Sequence, residues 1–72
     1  MKNTFLSTLF VGIDVSSRSN VLCALDFYGN KLLNQKVLNN RPGAIAISDS
    51  ILGCLSSNDL KYVVIAMEST SF

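Results

Sequence analysis

The chain has 72 residues, of which 49% are hydrophobic and 15% are charged. This length allows at most one small domain, and this composition excludes an intrinsically disordered segment. The net charge is +1 and the basic residues are scattered, so the composition does not indicate a nucleic-acid-binding surface. The absence of histidine excludes Ser-His-Asp and Cys-His catalysis and the HExxH zinc site.

The beginning of the chain, residues 1–9, is interpreted as an N-terminal extension of one partial domain, residues 10–72. Its apolar start is not expected to be a signal peptide, because Asp14 interrupts it and no cleavage site follows. No apolar run is long enough to span a bilayer. Cys23 and Cys54 lie far apart in apolar segments, which is typical of buried thiols in a reducing compartment. We therefore expect a soluble, cytoplasmic protein with no membrane partner.

Three strands are predicted in the first half of the chain. Residues 10–15 are apolar and rich in β-branched side chains, residues 21–27 form a second apolar run, and the polar cluster 16–20 separates them. Residues 28–30 include a glycine that favours a tight turn, and they lead into residues 31–38, where polar and apolar side chains alternate. The pattern predicts a three-stranded antiparallel meander.

A helix of three or four turns is predicted to follow. Pro42 suits the first helical position, where its missing N–H does no harm, and Asn40 is a possible cap. The polar segment 56–59 ends the helix. Apolar residues at spacings of three and four predict the stripe that packs on the sheet. The stripe comprises Ala44, Ile47, Ile51 and Leu55, with Ile45 and Leu52 beside it.

The last element, residues 60–67, is a nearly continuous apolar run. Such a run predicts a central strand covered on both faces. The preceding helix then becomes the crossover of a right-handed βαβ unit, which places the fourth strand beside the first and parallel to it. We therefore expect an α/β fold with sheet order 3-2-1-4 and a helix on one face.

Two carboxylates lie near the ends of neighbouring strands in this predicted sheet, Asp14 on the first and Glu68 after the fourth. An isolated ionised carboxylate in an apolar layer costs several kcal/mol unless it is paired, hydrogen-bonded or bound to a metal. Hard oxygen ligands favour Mg²⁺ or Mn²⁺, the ions of two-metal phosphoryl transfer. The pair therefore predicts a shared divalent metal ion and a catalytic role for both acids.

Plainer interpretations of the same residues remain open. Asp14 could cap the turn by bonding to the backbone of Ser16 or Ser17, and Glu68 could be a solvated acid at a strand end. Ser16 and Ser17 could bind a phosphate, although serines in a hairpin are common turn formers. Arg18 could contact a nucleic-acid backbone or be plain surface.

Two short motifs and the spacing between them resemble a known family. The motifs are Val11–Ser16 and Met67–Thr70, separated by Asp26 with Gly29 soon after it and by Asn40 followed by Pro42 and Gly43. In this order they resemble the amino end of the DEDD-type insertion-sequence transposases. This group is often called "IS one-ten" and also contains a pilin-gene invertase. The resemblance extends from Phe10 to Phe72.

The resemblance implies a RuvC-like, ribonuclease-H-type domain that acts on DNA during transposition and recombination. In the family, four acids in the order Asp, Glu, Asp, Asp bind Mg²⁺ or Mn²⁺, and by position Asp14 matches the first and Glu68 the second. The third and fourth have no counterpart here. The family also has a carboxyl-terminal domain with a nucleophilic serine and works with a guide RNA, so no serine of this chain is expected to be that nucleophile.

Two positions depart from the family pattern. Arg41 stands where a hydroxyl helix cap is usual, which should cost the helix on the order of 1 kcal/mol. Ser71 replaces the glycine that commonly follows Glu-x-Thr, which should change the turn after Glu68 and the direction of its carboxylate.

The expected function is therefore the amino-terminal fragment of a transposase, from a truncated or split gene, which is inactive alone. Half of a four-carboxylate site should hold metal weakly, and the open edge of the fourth strand should promote self-association. One alternative is an actin-like ATPase-type nucleotide-binding fragment, disfavoured because no glycine follows Asp14 closely. The other is a non-catalytic interaction or regulatory module.

Overall fold

A computed structural model describes residues 4–69 of the chain. A 3₁₀ turn at Thr4–Ser7 precedes the first strand. Within the described range the further elements, in chain order, are β1 Thr8–Val15, β2 Ser19–Leu25, β3 Lys31–Leu38, the helix α1 Arg41–Ser57 and β4 Tyr62–Ser69. No helix of this range is both long and apolar enough to cross a membrane.

The four strands form one mixed sheet in the order β3-β2-β1-β4. β2 pairs antiparallel with β1 and with β3, while β4 pairs parallel with β1. The predicted meander, the parallel fourth strand and the sheet order 3-2-1-4 are therefore confirmed.

The first strand begins at Thr8, two residues earlier than the predicted start at Phe10. Thr8 and Leu9 pair with Tyr62 and Val63 of β4, and the side chain of Leu9 is completely buried. This pairing joins positions far apart in sequence, so the local pattern around Phe10 did not reveal it. Leu9 belongs to the core of the sheet.

The turn between β2 and β3 is built around the carboxylate of Asp26. It accepts hydrogen bonds from the backbone N–H groups of Tyr28 and Asn30, at 2.9 and 2.8 Å, and from Asn30 Nδ2, at 2.8 Å. Gly29 has φ 85°, a conformation that glycine adopts without strain. Because Asp26 directs these bonds, β2 ends at Leu25 rather than at the predicted residue 27.

This turn predicts a response to acid. The hydrogen bond from the Asn30 side chain, with further backbone N–H bonds, lowers the pKa of Asp26 from its usual value. A lowered folded-state pKa stabilises the fold above the unfolded-state pKa of about 3.9, and this contribution is lost as the pH falls through the folded value. We expect Asp26→Asn to flatten the acid limb of the stability profile below about pH 4. Chemical unfolding at a series of pH values measures this.

The matched control is Asp49→Asn, on the solvent-exposed part of α1. It should keep the acid dependence of the unchanged protein. An Asp26→Asn profile that runs parallel to the unchanged protein through the acid range would show that the turn does not contribute.

The helix packs on one face of the sheet, with its main sheet contacts to β3. Of the predicted stripe, Ile51 is buried and Ile47 and Leu55 pack against the core, as expected. The prediction was wrong for three residues that are exposed, Ala44, Ile45 and Leu52. The buried core consists of Leu9, Val11, Ile13, Leu22, Ala24, Ile51 and Cys54.

The first turn of α1 differs from the prediction in its buried residue, which is Gly43 and not Ala44. Asn40 is the cap, as predicted, and its Oδ1 accepts a hydrogen bond from the Gly43 N–H at 2.9 Å. Arg41 is the first helical residue and Pro42 the second, so Arg41 does not occupy the cap and the expected cost at that position does not arise. Gly43 is buried where a Cβ atom would collide with the Leu38 carbonyl oxygen, so its backbone approaches the end of β3 closely.

The strand β4 lies at the edge of the sheet, and all eight of its residues are exposed. The prediction of a strand covered on both faces was therefore wrong for residues 4–69, because α1 lies over the β3 side of the sheet. Its large apolar side chains are 40% to 65% exposed. They are Tyr62, Val63, Val64, Ile65 and Met67.

Candidate functional site

The two predicted carboxylates lie side by side in the sheet. Asp14 of β1 pairs in register with Glu68 of β4. Neighbouring strands are about 4.8 Å apart, and residues paired in this way project from the same side of a sheet. We call the side opposite α1 the open face, and on these two strands it carries Phe10, Gly12, Asp14, Ala66 and Glu68.

The surroundings of the pair differ from the prediction. Both Asp14 and Glu68 are exposed, so neither carboxylate lies in an apolar layer. The reason is that α1 covers the opposite face, while nothing among residues 4–69 covers the open face at this point. The cost of burial therefore does not argue for a metal here. Two adjacent carboxylates also repel each other, and a divalent cation bound to both would neutralise this repulsion.

An open depression of about 330 Å³ lies beside the two carboxylates. Small side chains form its floor, because Gly12 pairs with Cys23 on one side and with Ala66 on the other. The lining residues are Gly12, Ile13, Asp14, Val21, Cys23, Ala66 and Glu68.

A second depression of similar volume, about 330 Å³, continues along β1 away from the carboxylates. Its lining is apolar and includes Phe10, Leu25 and Val64. The open face therefore has an acidic end and an apolar end, joined over the floor at Gly12.

Lack of space does not require a glycine at position 12. A Cβ atom there would meet the Cys23 carbonyl oxygen at 3.9 Å, which is an ordinary van der Waals contact. The absence of a side chain instead leaves the floor beside Asp14 open to an approaching group.

The turn after β1 is held by its own hydrogen bonds. The Ser16 N–H donates to the Ser19 carbonyl at 2.9 Å, the Ser16 hydroxyl donates to the same oxygen at 2.7 Å, and the Ser19 N–H donates to Ser16 Oγ at 3.2 Å. Ser16 thus acts as a turn former, while its role in binding a phosphate stays a prediction. The sequence suggested that Asp14 could accept a hydrogen bond from the backbone N–H of Ser16. This N–H donates to the Ser19 carbonyl within the turn. Ser17 and Arg18 are exposed at the tip.

A second set of bonds joins this turn to the start of the helix. The Asn39 N–H donates to the Arg18 carbonyl at 2.9 Å, and Asn39 Nδ2 donates to the Ser16 carbonyl at 2.7 Å. Arg18 is therefore held at the same end of the sheet as Asp14 and Glu68.

The donor set fits a hard divalent cation in part. Among residues 4–69 there is no group of three or more histidine, cysteine, aspartate or glutamate side chains placed to hold a metal. Asp14 and Glu68 can supply two carboxylates, and Mg²⁺ commonly binds through one or two carboxylates while water and phosphate fill its other positions. The pair thus suits Mg²⁺ or Mn²⁺ as part of a site.

One basic residue that the sequence did not single out belongs to the same part of the sheet. Lys36 of β3 pairs with Val21 of β2, and Val21 pairs with Asp14. The alternation of residues 31–38 was a signal for which face Lys36 occupies, but its alignment with Asp14 depends on two pairing registers that no local pattern fixes.

No protein-family model matches the chain, and no curated protein matches it. The resemblance to the DEDD-type transposases therefore stays a prediction, carried by its two motifs and their spacing. The sheet order and the adjacency of Asp14 and Glu68 are properties of the fold itself.

Proposed function

We propose that this chain is the amino-terminal part of a RuvC-like, ribonuclease-H-type domain of a DNA transposase of insertion elements. Asp14 and Glu68 are its first two metal-binding carboxylates. The observation that carries the proposal is the in-register pairing of these two acids across parallel neighbouring strands, within the sheet order 3-2-1-4. The motifs Val11–Ser16 and Met67–Thr70, which contain the two acids, support it.

The chemistry follows from the two acids and the floor beside them. When bound, Mg²⁺ or Mn²⁺ supplies a Lewis acid for phosphoryl transfer between DNA strands. Asp14 and Glu68 would hold and orient that ion, and the small residues Gly12, Cys23 and Ala66 leave space for a phosphodiester above the sheet. Two of four carboxylates bind metal weakly, so the chain alone is inactive.

The uncovered surfaces support the idea that further protein completes the domain. Both faces of β4 are exposed, and domains bury sheet faces against a second layer. We propose DNA as the substrate and the cytoplasm as the location. A guide RNA is proposed as a partner only because the resemblance to the family implies one. The free thiols of Cys23 and Cys54 are in keeping with a reducing compartment.

Metal binding tests the proposal directly. Titration with Mn²⁺, followed by electron paramagnetic resonance of the free ion, should reveal one weak site. Asp14→Asn and Glu68→Gln should each weaken it by about tenfold or more, because each removes one of two charged ligands. Asp49→Asn, with the same loss of charge on α1, is the control and should leave Mn²⁺ binding unchanged.

Two results would contradict the proposal. Equal Mn²⁺ affinity of Asp14→Asn, Glu68→Gln and Asp49→Asn would mean that the affinity depends only on the net charge of the protein. Metal-dependent DNA cleavage by the pure chain, abolished by Asp14→Ala, would show that the site is complete within these residues.

A second function, a non-catalytic interaction module, is favoured by the exposure of β4. Such a module would pair with an intact transposase copy and interfere with it. Adding the chain to a recombination assay of a full-length relative distinguishes the two, because only an interaction module lowers the yield. The nucleotide-binding alternative has less support, since the turn beside Asp14 is closed by the bonds between Ser16 and Ser19.

A further inference from the structure

Four side chains form one straight row across the open face. The pairing registers place Glu68 of β4 beside Asp14 of β1, Asp14 beside Val21 of β2, and Val21 beside Lys36 of β3. Each strand contributes one residue. The row therefore has two negative charges at one end and a positive charge at the other.

The direction of Lys36 follows from its neighbours on β3. Gln35 Oε1 accepts a hydrogen bond from the Ser50 hydroxyl of α1 at 2.7 Å, so Gln35 points to the helix side. Val37 is half-buried, as Gln35 is, whereas Lys36 is exposed. Because successive side chains of a strand point to opposite faces, Lys36 lies on the open face.

The space between the charges suits a phosphodiester. At about 4.8 Å per strand, the Cα atoms of Lys36 and Asp14 are about 10 Å apart, with Val21 between them. Val21 is 40% exposed and carries no charge, so it neither repels nor binds an anion. A lysine ammonium on its flexible stem is a common partner for phosphate.

We propose that Lys36 binds a phosphate of the DNA strand, with the strand lying over Val21 between the lysine and the carboxylate pair. This inference rests on the proposed function, because negatively charged carboxylates repel DNA and a bound metal cation makes their end of the row attractive to it. Lys36 is then a positioning residue, which holds the backbone while the metal faces the neighbouring part of the strand.

The other basic residues of the described chain are not part of this row. Lys31 is paired with Leu25 at the opposite end of the sheet, and the Lys61 N–H donates to the Ser7 carbonyl at that same end. Arg18 is at the same end of the sheet as the acids but lies in the turn between β1 and β2 and not on a strand, and Arg41 is the first residue of α1. Lys36 is the one described cation in line with the acids.

The test measures binding of a fluorescein-labelled, single-stranded DNA oligonucleotide by anisotropy, at fixed Mg²⁺ and over a series of salt concentrations. Lys36→Gln should weaken binding about three- to tenfold and reduce the slope of log K against log salt by about 0.7, the value for one phosphate contact on a single strand. Lys36→Arg should restore most of the affinity. Lys61→Gln, the matched control, should leave the slope unchanged.

The outcomes separate this inference from the proposed function. Equal slopes for Lys36→Gln and Lys61→Gln, in a protein that binds Mn²⁺ through Asp14 and Glu68, would overturn the role of Lys36 alone. A reduced slope in Lys36→Gln without Mn²⁺ binding would support the phosphate contact and overturn the metal site. Absence of DNA binding by the unchanged chain would overturn the inference, and Mn²⁺ binding would then decide the proposed function by itself.

Discussion

Replacement of Gly43 by alanine is expected to lower the melting temperature by on the order of 10 °C or more. The added Cβ atom would collide with the Leu38 carbonyl oxygen, and it would lie 3.2 Å from Asn40 Oδ1, the atom that caps the helix. Backbone cannot yield as a flexible side chain does, so α1 must shift away from β3. Overpacking of this kind costs about 1–3 kcal/mol, and about 4–8 °C is lost for each kcal/mol in a domain of this size.

The same helix offers a control of opposite sign. Gly53 is exposed, and a Cβ atom there would have no neighbour within 4 Å. Because glycine inside a helix costs about 0.5–1 kcal/mol relative to alanine, Gly53→Ala should raise the melting temperature by a few degrees. Thermal unfolding followed by circular dichroism at low protein concentration measures both variants. A stabilising effect of both would show that α1 does not approach β3 closely at Gly43.

Self-association of the isolated chain is the second large effect that we expect. The edge strand β4 presents five large apolar side chains and a row of backbone groups that no strand among residues 4–69 pairs with. Such an edge is a template for pairing with another chain. Sedimentation velocity over a concentration series should show species larger than the monomer.

A single charge on the edge should reverse this behaviour. Ile65→Lys places an ammonium in the middle of β4, where it would be desolvated by a second strand, so the monomer should predominate. The control is Leu52→Lys, since Leu52 is also an exposed apolar residue but lies on α1. A monomer at every concentration for the unchanged chain, or dissociation by Leu52→Lys alone, would contradict a role of β4.

Patterns local to the sequence were sufficient to predict the meander, the presence of the helix and its cap at Asn40. The position of β4 next to β1 followed from the general rule for parallel crossovers, and with it the adjacency of Asp14 and Glu68. The start of β1 at Thr8 was not predictable in this way, because it depends on pairing with Tyr62, more than fifty residues later.

The buried face of α1 was predicted except at its margins, because Ile47, Ile51 and Leu55 lie in or against the core. Hydrophobicity placed Ala44 and Leu52 near the buried side, where neither is found. Gly43 is the buried residue of the first turn, and a glycine has no side chain to contribute to a hydrophobic pattern. In this first turn, a close backbone contact and not apolar area determines which residue is buried.

The exposure of the candidate site could not be predicted because burial depends on what covers a strand. A continuous apolar run such as 60–67 is typical of strands between two layers, yet among the described residues only one face of the sheet has a helix. Asp14 and Glu68 are accordingly adjacent, as expected, and exposed, contrary to expectation. The strand register determines that Asp14 and Glu68 are adjacent, whereas their burial depends on which other elements pack over them.

The two hydrogen bonds from Asn39 connect the turn after β1 to the start of α1. They tie the turn at Ser16 and Arg18 to the residue that directly precedes the helix cap Asn40. Release of the first helical turn would remove the support of this loop, so both are expected to open in one local unfolding event. The helix therefore supports the turn at the carboxylate end of the sheet, although α1 lies on the opposite face.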